Sequence, residues 1–197
     1  MPVNGGRRFS QAISEGDGIS LIAPVSGPDE AARVEAEGAE AVIVGPGNGS
    51  AIAQIRAATS LPVLLALPGE VGTPHPEADA CLLDVGEDLE SVARRMMELG
   101  ESYELAFRID DEDRLASALE ELDPEIFVLA APDGDGEEAL ERVLDLLPDV
   151  PAGKLAIADL AGSSRDDVGA LERAGFDGVI VDTRSVADLI GDAPPEV

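Results

Sequence analysis

A chain of 197 residues with 45% hydrophobic content is long enough for one domain, residues 1–197, with a sizeable core. Its 41 acidic against 13 basic residues leave a net charge of −28, which argues against nucleic acid or anionic membrane surfaces as partners. No apolar run nears the ~20 residues of a membrane span. The start, MPVNGGRRFSQ, has no apolar stretch behind its two arginines, so no signal peptide is expected.

Eight apolar, β-rich runs alternate with helical patterns, the signature of a parallel sheet with crossover helices. In chain order they are ISLIAPV from Ile19, EAVIVG from Glu40, PVLLAL from Pro62 and DACLLDV from Asp79. YELAFRI from Tyr103, EIFVLAA from Glu125, KLAIAD from Lys154 and DGVIVD from Asp177 follow. Near-continuous apolar character is what strands buried on both faces require. PDEAARVEAEG ends at Gly38. SAIAQIRAAT opens at Ser50, a good N-cap. EDLESVARRMMELG places Leu89, Val92, Met96 and Leu99 on one face and ends at Gly100. DEDRLASALEEL, GEEALERVLDLL and SSRDDVGALERAG repeat the plan.

One crossover differs. Only 17 residues separate Pro62 from Asp79, and they include PGEVGTPHPEA, with three prolines and two glycines. Proline inside a helix costs ~3 kcal/mol, so this crossover is expected to be a loop or a single turn. Eight units with the third helix reduced or absent predict an α/β fold, a (β/α)8 barrel of minimal size with a short lead-in helix. It falls below the ~250 residues usual for that fold. A doubly wound open sheet is the alternative, but SGPDEA after the first run is not the glycine fingerprint it needs.

Several residues have an ordinary and a functional reading. Cys81, the single cysteine, excludes an internal disulfide, fits a reducing cytoplasm and reads as a buried structural thiol. Met96 and Met97 read as core filling. GPGNGS, Gly45 to Ser50, lacks the lysine of a phosphate-binding P-loop and reads as a strand-to-helix loop. His75, flanked by prolines, reads as solvated or capping unless its loop folds over the barrel mouth. The acidity reads as high-GC coding bias or adaptation to salt, with cation binding as the functional alternative.

The strings FSQAISEGDGISLIA, GAEAVIV followed by GS, IRAATSLPVLL, RIDDEDRLASAL and SSRDDVGALERAGFDGVIVD occur in an order that resembles indole-3-glycerol phosphate synthase across nearly the whole chain. Phosphoribosylanthranilate isomerase and the tryptophan synthase α subunit are weaker matches. The resemblance implies a carbon–carbon lyase of tryptophan biosynthesis. Its lysines would stand at the ends of strands one and three and its glutamates at the ends of strands one, five and seven. An asparagine would lie on strand six, and backbone amides near strands seven and eight would hold a phosphate. This chain departs at these positions. Pro24 and Ser26 stand where strand one should carry glutamate and lysine, and Ala66 replaces the strand-three lysine. Arg108 replaces the strand-five glutamate, and Leu129 and Ala130 surround the asparagine position. Asp159 replaces the strand-seven glutamate, Leu160-Ala161 the following serine-glycine, and Asp182 a phosphate-facing glycine. The only lysine, Lys154, falls at the bottom of the barrel, where residues serve stability.

The expected site is therefore the C-terminal rim of the strands, with Asp84, Arg108, Asp110, Asp133, Asp159, Asp182 and Arg184. Arg108 and Asp159 are the candidate catalytic residues. Arg108 is expected to pair with Asp159, Asp84 or Asp182 in a charged plug. A hard-cation site of converging carboxylates is one reading. A retained phosphate site at Gly162, Ser163 and Ser164 with Arg184 is another, against plain N-capping by either serine. No cofactor and no resident metal are implied, and a monomer with at most a small phosphorylated ligand is expected. Aromatics at 3% are sparse for gripping an indole precursor. A family member without synthase activity competes with a divergent lyase or a phosphate-ligand enzyme of changed chemistry.

Overall fold

The computed structural model describes residues 7–15, 18–67, 73–86, 88–132, 134, 136–160, 162–181 and 186–189. The strands are β1 Ser20–Val25, β2 Ala41–Val44, β3 Val63–Leu67, β4 Ala80–Asp84, β5 Glu104–Ile109, β6 Ile126–Ala130, β7 Leu155–Asp159 and β8 Gly178–Ile180. Each starts one residue into an apolar run. All pair in parallel and in chain order, and β8 returns to β1 with Ser20 opposite Gly178 and Ile22 opposite Ile180. The sheet is thus a closed barrel, which rules out the open-sheet alternative.

The helices are α1 Arg8–Ser14, α2 Pro28–Ala36, α3 Ile52–Ala58, α4 Leu89–Leu99, α5 Glu112–Glu121, α6 Gly136–Leu146, α7 Arg165–Ala174 and α8 Val186–Leu189. Between β3 and β4 the described residues, 73–79, contain a turn and no helix, as the proline spacing requires. Two local expectations fail. Ser50 does not cap α3: it sits inside a 3-10 turn, Gly49–Ala51, and Ala51 precedes the helix without a side-chain cap. Met97 is not core filling, since it lies on the solvent face of α4 at 70% exposure, while its neighbour Met96 rests on the core.

Strand alternation builds two apolar layers. Cys81, Leu83, Phe107, Leu129 and Val179 point outward, under the helices. Ile22, Ile43, Leu64, Leu82, Val128 and Ile157 fill the barrel interior. Near the strand starts that interior is lined by small residues, Ser20, Ala41, Ala80 and Gly178, and α1 uses the room. Phe9 and Ile13 enter the barrel from below, at 0% and 2% exposure, and join the interior cluster. The Ser20 hydroxyl donates to the Ile13 carbonyl at 3.2 Å. A carboxylate 95 residues away secures the start of α1: Glu104 accepts from the Phe9 amide at 2.7 Å and from the Ser10 amide at 3.1 Å. These are the orphan N–H groups that every helix start must satisfy.

The same lower rim carries further fixed charges. Asp79 accepts from the Val63 amide at 2.8 Å and pairs with Arg56 at 2.9 Å and Arg8 at 3.3 Å. Lys154 pairs with Glu125 at 2.8 Å and Asp123 at 3.0 Å, in the structural position expected for it. Asp177 accepts from the Ala156 amide at 2.8 Å. Burial pushes the Cys81 thiol up to about 12, so it is an inert core group.

Candidate functional site at the barrel mouth

Alternation along β5 turns Arg108 into the barrel, two residues above Ala106. The same rule turns Asp84 inward above Leu82 and Asp159 inward above Ile157. Asp84 is the register partner of Arg108 on the neighbouring strand, and Asp159 crosses from β7. The Arg108 guanidinium meets Asp159 Oδ2 at 2.9 Å through Nη2 and Asp84 Oδ1 at 3.3 Å through Nη1. The arginine side chain keeps 31% exposure, while its Nε is buried and has no hydrogen-bond partner among the described residues. The ion pair forms with two of the three aspartates named from sequence. The third, Asp182, lies outside the described residues, as do Asp133, Ala161 and Arg184.

The triad stands at the centre of the mouth and divides it. On one side a cavity of about 500 Å³ is bounded by Asp84, Arg108, Asp110, Arg114, Ala130 and Asp159. On the other, a cavity of about 380 Å³ has apolar walls, among them Pro24, Ile43, Ala66 and Ile180, with Arg108 and Asp159 closing one side. Asp110 is tied to Arg114, which also meets Asp111 at 3.2 Å. Arg114 drew no attention in sequence because its spacing is that of an ordinary helix-face ion pair.

Burial pushes the Asp159 carboxyl up from its ordinary value. The Arg108 guanidinium pulls it back, and the Asp84 carboxylate adds to the rise. Burial likewise raises Asp79 and Asp177. An acid raised in the folded state favours folding below its unfolded pKa, ~3.9, and that contribution is lost as pH rises through the folded value. Glu30, Glu35 and Asp88 are lowered by hydrogen bonds from Ser26, Ser60 and Ser91. Their contribution has the opposite sign: it is present above the ordinary carboxylate range and lost in stronger acid. The contribution of Asp79, Asp159 and Asp177 is therefore expected to grow as pH falls from neutrality toward the ordinary carboxylate range. Arg108→Ala removes the cation that restrains Asp159. The site is one-third open, so the cost should fall between that of exposed and buried pairs, about 1–2 kcal/mol at pH 7. At about pH 4, the ordinary carboxylate range, the cost should shrink, because the raised Asp159 carboxyl takes a proton ahead of an ordinary one. Denaturant titrations at both pH values check this, and an equal cost at the two would refute it.

The remaining candidates have defined local roles. Gly162 turns the chain with φ 72°, and the Ser163 hydroxyl donates to the Leu160 carbonyl at 3.1 Å. Ser164 is the N-cap of α7. Its amide donates to Asp167 Oδ2 at 2.8 Å, and its hydroxyl accepts from the Asp167 amide at 3.3 Å. This reciprocal capping box commits the Ser164 amide and places a carboxylate beside it. His75 Nδ1 accepts from the Glu77 amide at 3.3 Å, a capping role, and His75 is not among the residues lining either mouth cavity. Among the described residues no group of three histidines, cysteines or carboxylates could hold a metal ion. Asp84 and Asp159 face a guanidinium instead. No helix among the described residues is long and apolar enough to cross a membrane.

A closed eight-stranded parallel barrel with crossover helices and a charged C-terminal mouth defines a (β/α)8, or TIM-barrel, protein. Neither a family model nor a curated protein sequence matches the chain. Solved structures do match it in fold. Thiamine phosphate pyrophosphorylase from Pyrococcus furiosus aligns at TM-score 0.67 and 12% identity over 87% of this chain and 89% of its own. Oxaloacetate acetylhydrolase aligns at 0.68 and 11% over 95% and 83%. A protein described as a phosphonomutase, from Burkholderia cenocepacia, aligns at 0.63 and 13% over 90% and 92%. The descriptions of these neighbours name different chemistries, so what they share with this chain is the barrel.

Proposed function

We propose that this chain is a divergent relative of the indole-3-glycerol phosphate synthase barrels that has no synthase activity and keeps its mouth as a small-ligand site. One observation carries the reading. The position of the strand-five glutamate holds Arg108, and that arginine is engaged by Asp159 and Asp84 in the space where the family's acid–base groups would meet the substrate. The two lysines implied by the resemblance are absent, because Ser26 and Ala66 stand in their places. Removing a single acid–base group typically costs 10²–10⁴-fold in rate, and here several are missing at once.

The test is incubation with the family's phosphorylated substrate while indole fluorescence is followed. The expected result is no turnover above background. Turnover within about 100-fold of the ordinary range of roughly 1–10³ s⁻¹ would instead support the divergent-lyase reading. A phosphate-binding enzyme of changed chemistry using Gly162, Ser163, Ser164 and Arg184 has less support. The Ser164 amide is spent on Asp167, and a chain of net charge −28 disfavours an anion.

A further inference from the structure

We propose that the smaller mouth cavity takes a neutral, planar ligand with an amide-type edge, its carbonyl accepting from the Arg108 guanidinium and its adjacent N–H donating to the Asp159 carboxylate. This rests on reading the mouth as a ligand site. The cavity lies at the C-terminal ends of the strands, where barrels of this fold bind their ligands. Its body is apolar: Pro24, Ile43, Ala66, Leu160, Ile180 and Val181 line it. Among its described lining residues only Arg108 and Asp159 carry charge, one of each sign, while Asp84, the other partner of Arg108, lines the neighbouring cavity. Asp159 meets Arg108 through Oδ2, and its Oδ1 accepts no hydrogen bond from a described residue.

Charge then selects the ligand. An anion would face Asp159 and the field of the whole chain. A cation would have to share Asp159 with the Arg108 guanidinium, which already meets it at 2.9 Å. A neutral donor–acceptor couple leaves the ion pair intact and gives each half a further charge-assisted hydrogen bond, about twice as strong as a neutral one. The volume, about 380 Å³, is near the low end of small-molecule pockets and suits one or two rings. Flat apolar faces would lie against Ile43 and Ile180.

The test is calorimetric titration of the full chain with three matched probes: 2-quinolinone, N-methyl-2-quinolinone and quinoline. Only the first has the complete edge. It is expected to bind at least about 10-fold more tightly than either of the others, the gap one well-made hydrogen bond supplies. Asp159→Ala and Arg108→Met should shrink that preference to within about 3-fold. Because those variants disturb the ion pair, Ala66→Leu provides a second arm: it narrows the apolar wall without touching the charges and should weaken 2-quinolinone by about 10-fold or more. Equal binding of the three probes, no binding of any at millimolar concentration, or unchanged affinity in Ala66→Leu would each overturn the inference. None of these outcomes bears on synthase turnover, and turnover of the phosphorylated substrate would not produce them, so the two readings fail separately.

Discussion

Phe9→Ala is expected to destabilise the protein by about 3–5 kcal/mol, the range for truncating a fully buried phenylalanine. For a domain of this size that corresponds to a melting temperature lower by about 6–20 °C. The ring has 0% exposure and lies inside the barrel with Ile13, in space that Ser20, Ala41, Ala80 and Gly178 leave open. Those four residues sit on strands of a closed ring and cannot move inward to fill the hole. A Cβ on Gly178 would already lie 3.3 Å from the Ser20 carbonyl and 3.5 Å from Ile13. The void would therefore persist, and a persistent void is the expensive case. Met97→Ala is the control, since its side chain is 70% exposed and its loss should cost less than about 0.5 kcal/mol. Thermal or urea unfolding of the two variants decides it. Equal effects would mean that α1 does not close the barrel.

The second large effect is salt. A net charge of −28 makes the folded chain repel itself. The repulsion is concentrated on the outer helices. Glu112, Asp113, Glu120 and Glu121 are exposed on α5, and Glu137, Glu138, Glu141 and Asp145 on α6. Few arginines stand among them. The screening length falls from ~10 Å at 0.1 M to ~3 Å at 1 M salt, shorter than the spacing between most of these carboxylates. Folding brings the charges together, so screening should favour the folded state by several kcal/mol. The melting temperature should climb on the order of 10 °C between low salt and molar NaCl. A flat profile would show that the acidic surface is already neutralised by other means. The gain expected as pH falls toward the carboxylate range has a partly separate origin, the raised carboxyls of Asp79, Asp159 and Asp177, and should survive in high salt.

The eight strands were legible in the sequence because a strand buried on both faces must be apolar along its length, and each run places the start of its strand to within one residue. That the described residues 73–79 of the crossover from β3 to β4 form no helix was legible too, since three prolines and two glycines between Pro62 and Asp79 disfavour one. The inward Arg108 was implied by the resemblance to the synthase family, and alternation along β5 agrees with it. The caps were less legible. Ser164 is the N-cap that its position suggests, whereas Ser50 is displaced by a 3-10 turn that residue preference alone does not report. The resemblance to the synthase family gave the right barrel, and the structural neighbours carry that fold without the specific chemistry.

What the chain by itself determined, then, is the order and type of its elements, because apolar period, proline and capping act over a few residues. What only the tertiary structure decided is which distant groups meet. Closure of β8 on β1 is a matter of register around the whole ring. Glu104 caps a helix 95 residues earlier, and Phe9 enters a barrel floor built from residues of several strands. Arg108 could be seen to need carboxylates, but the choice of Asp159 at 2.9 Å and Asp84 at 3.3 Å depends on the stagger of the strands. The division of the mouth into a charged and an apolar chamber follows from that choice. Stagger and closure arise from the twist and hydrogen-bond register of all eight strands together, and no local window of sequence contains them.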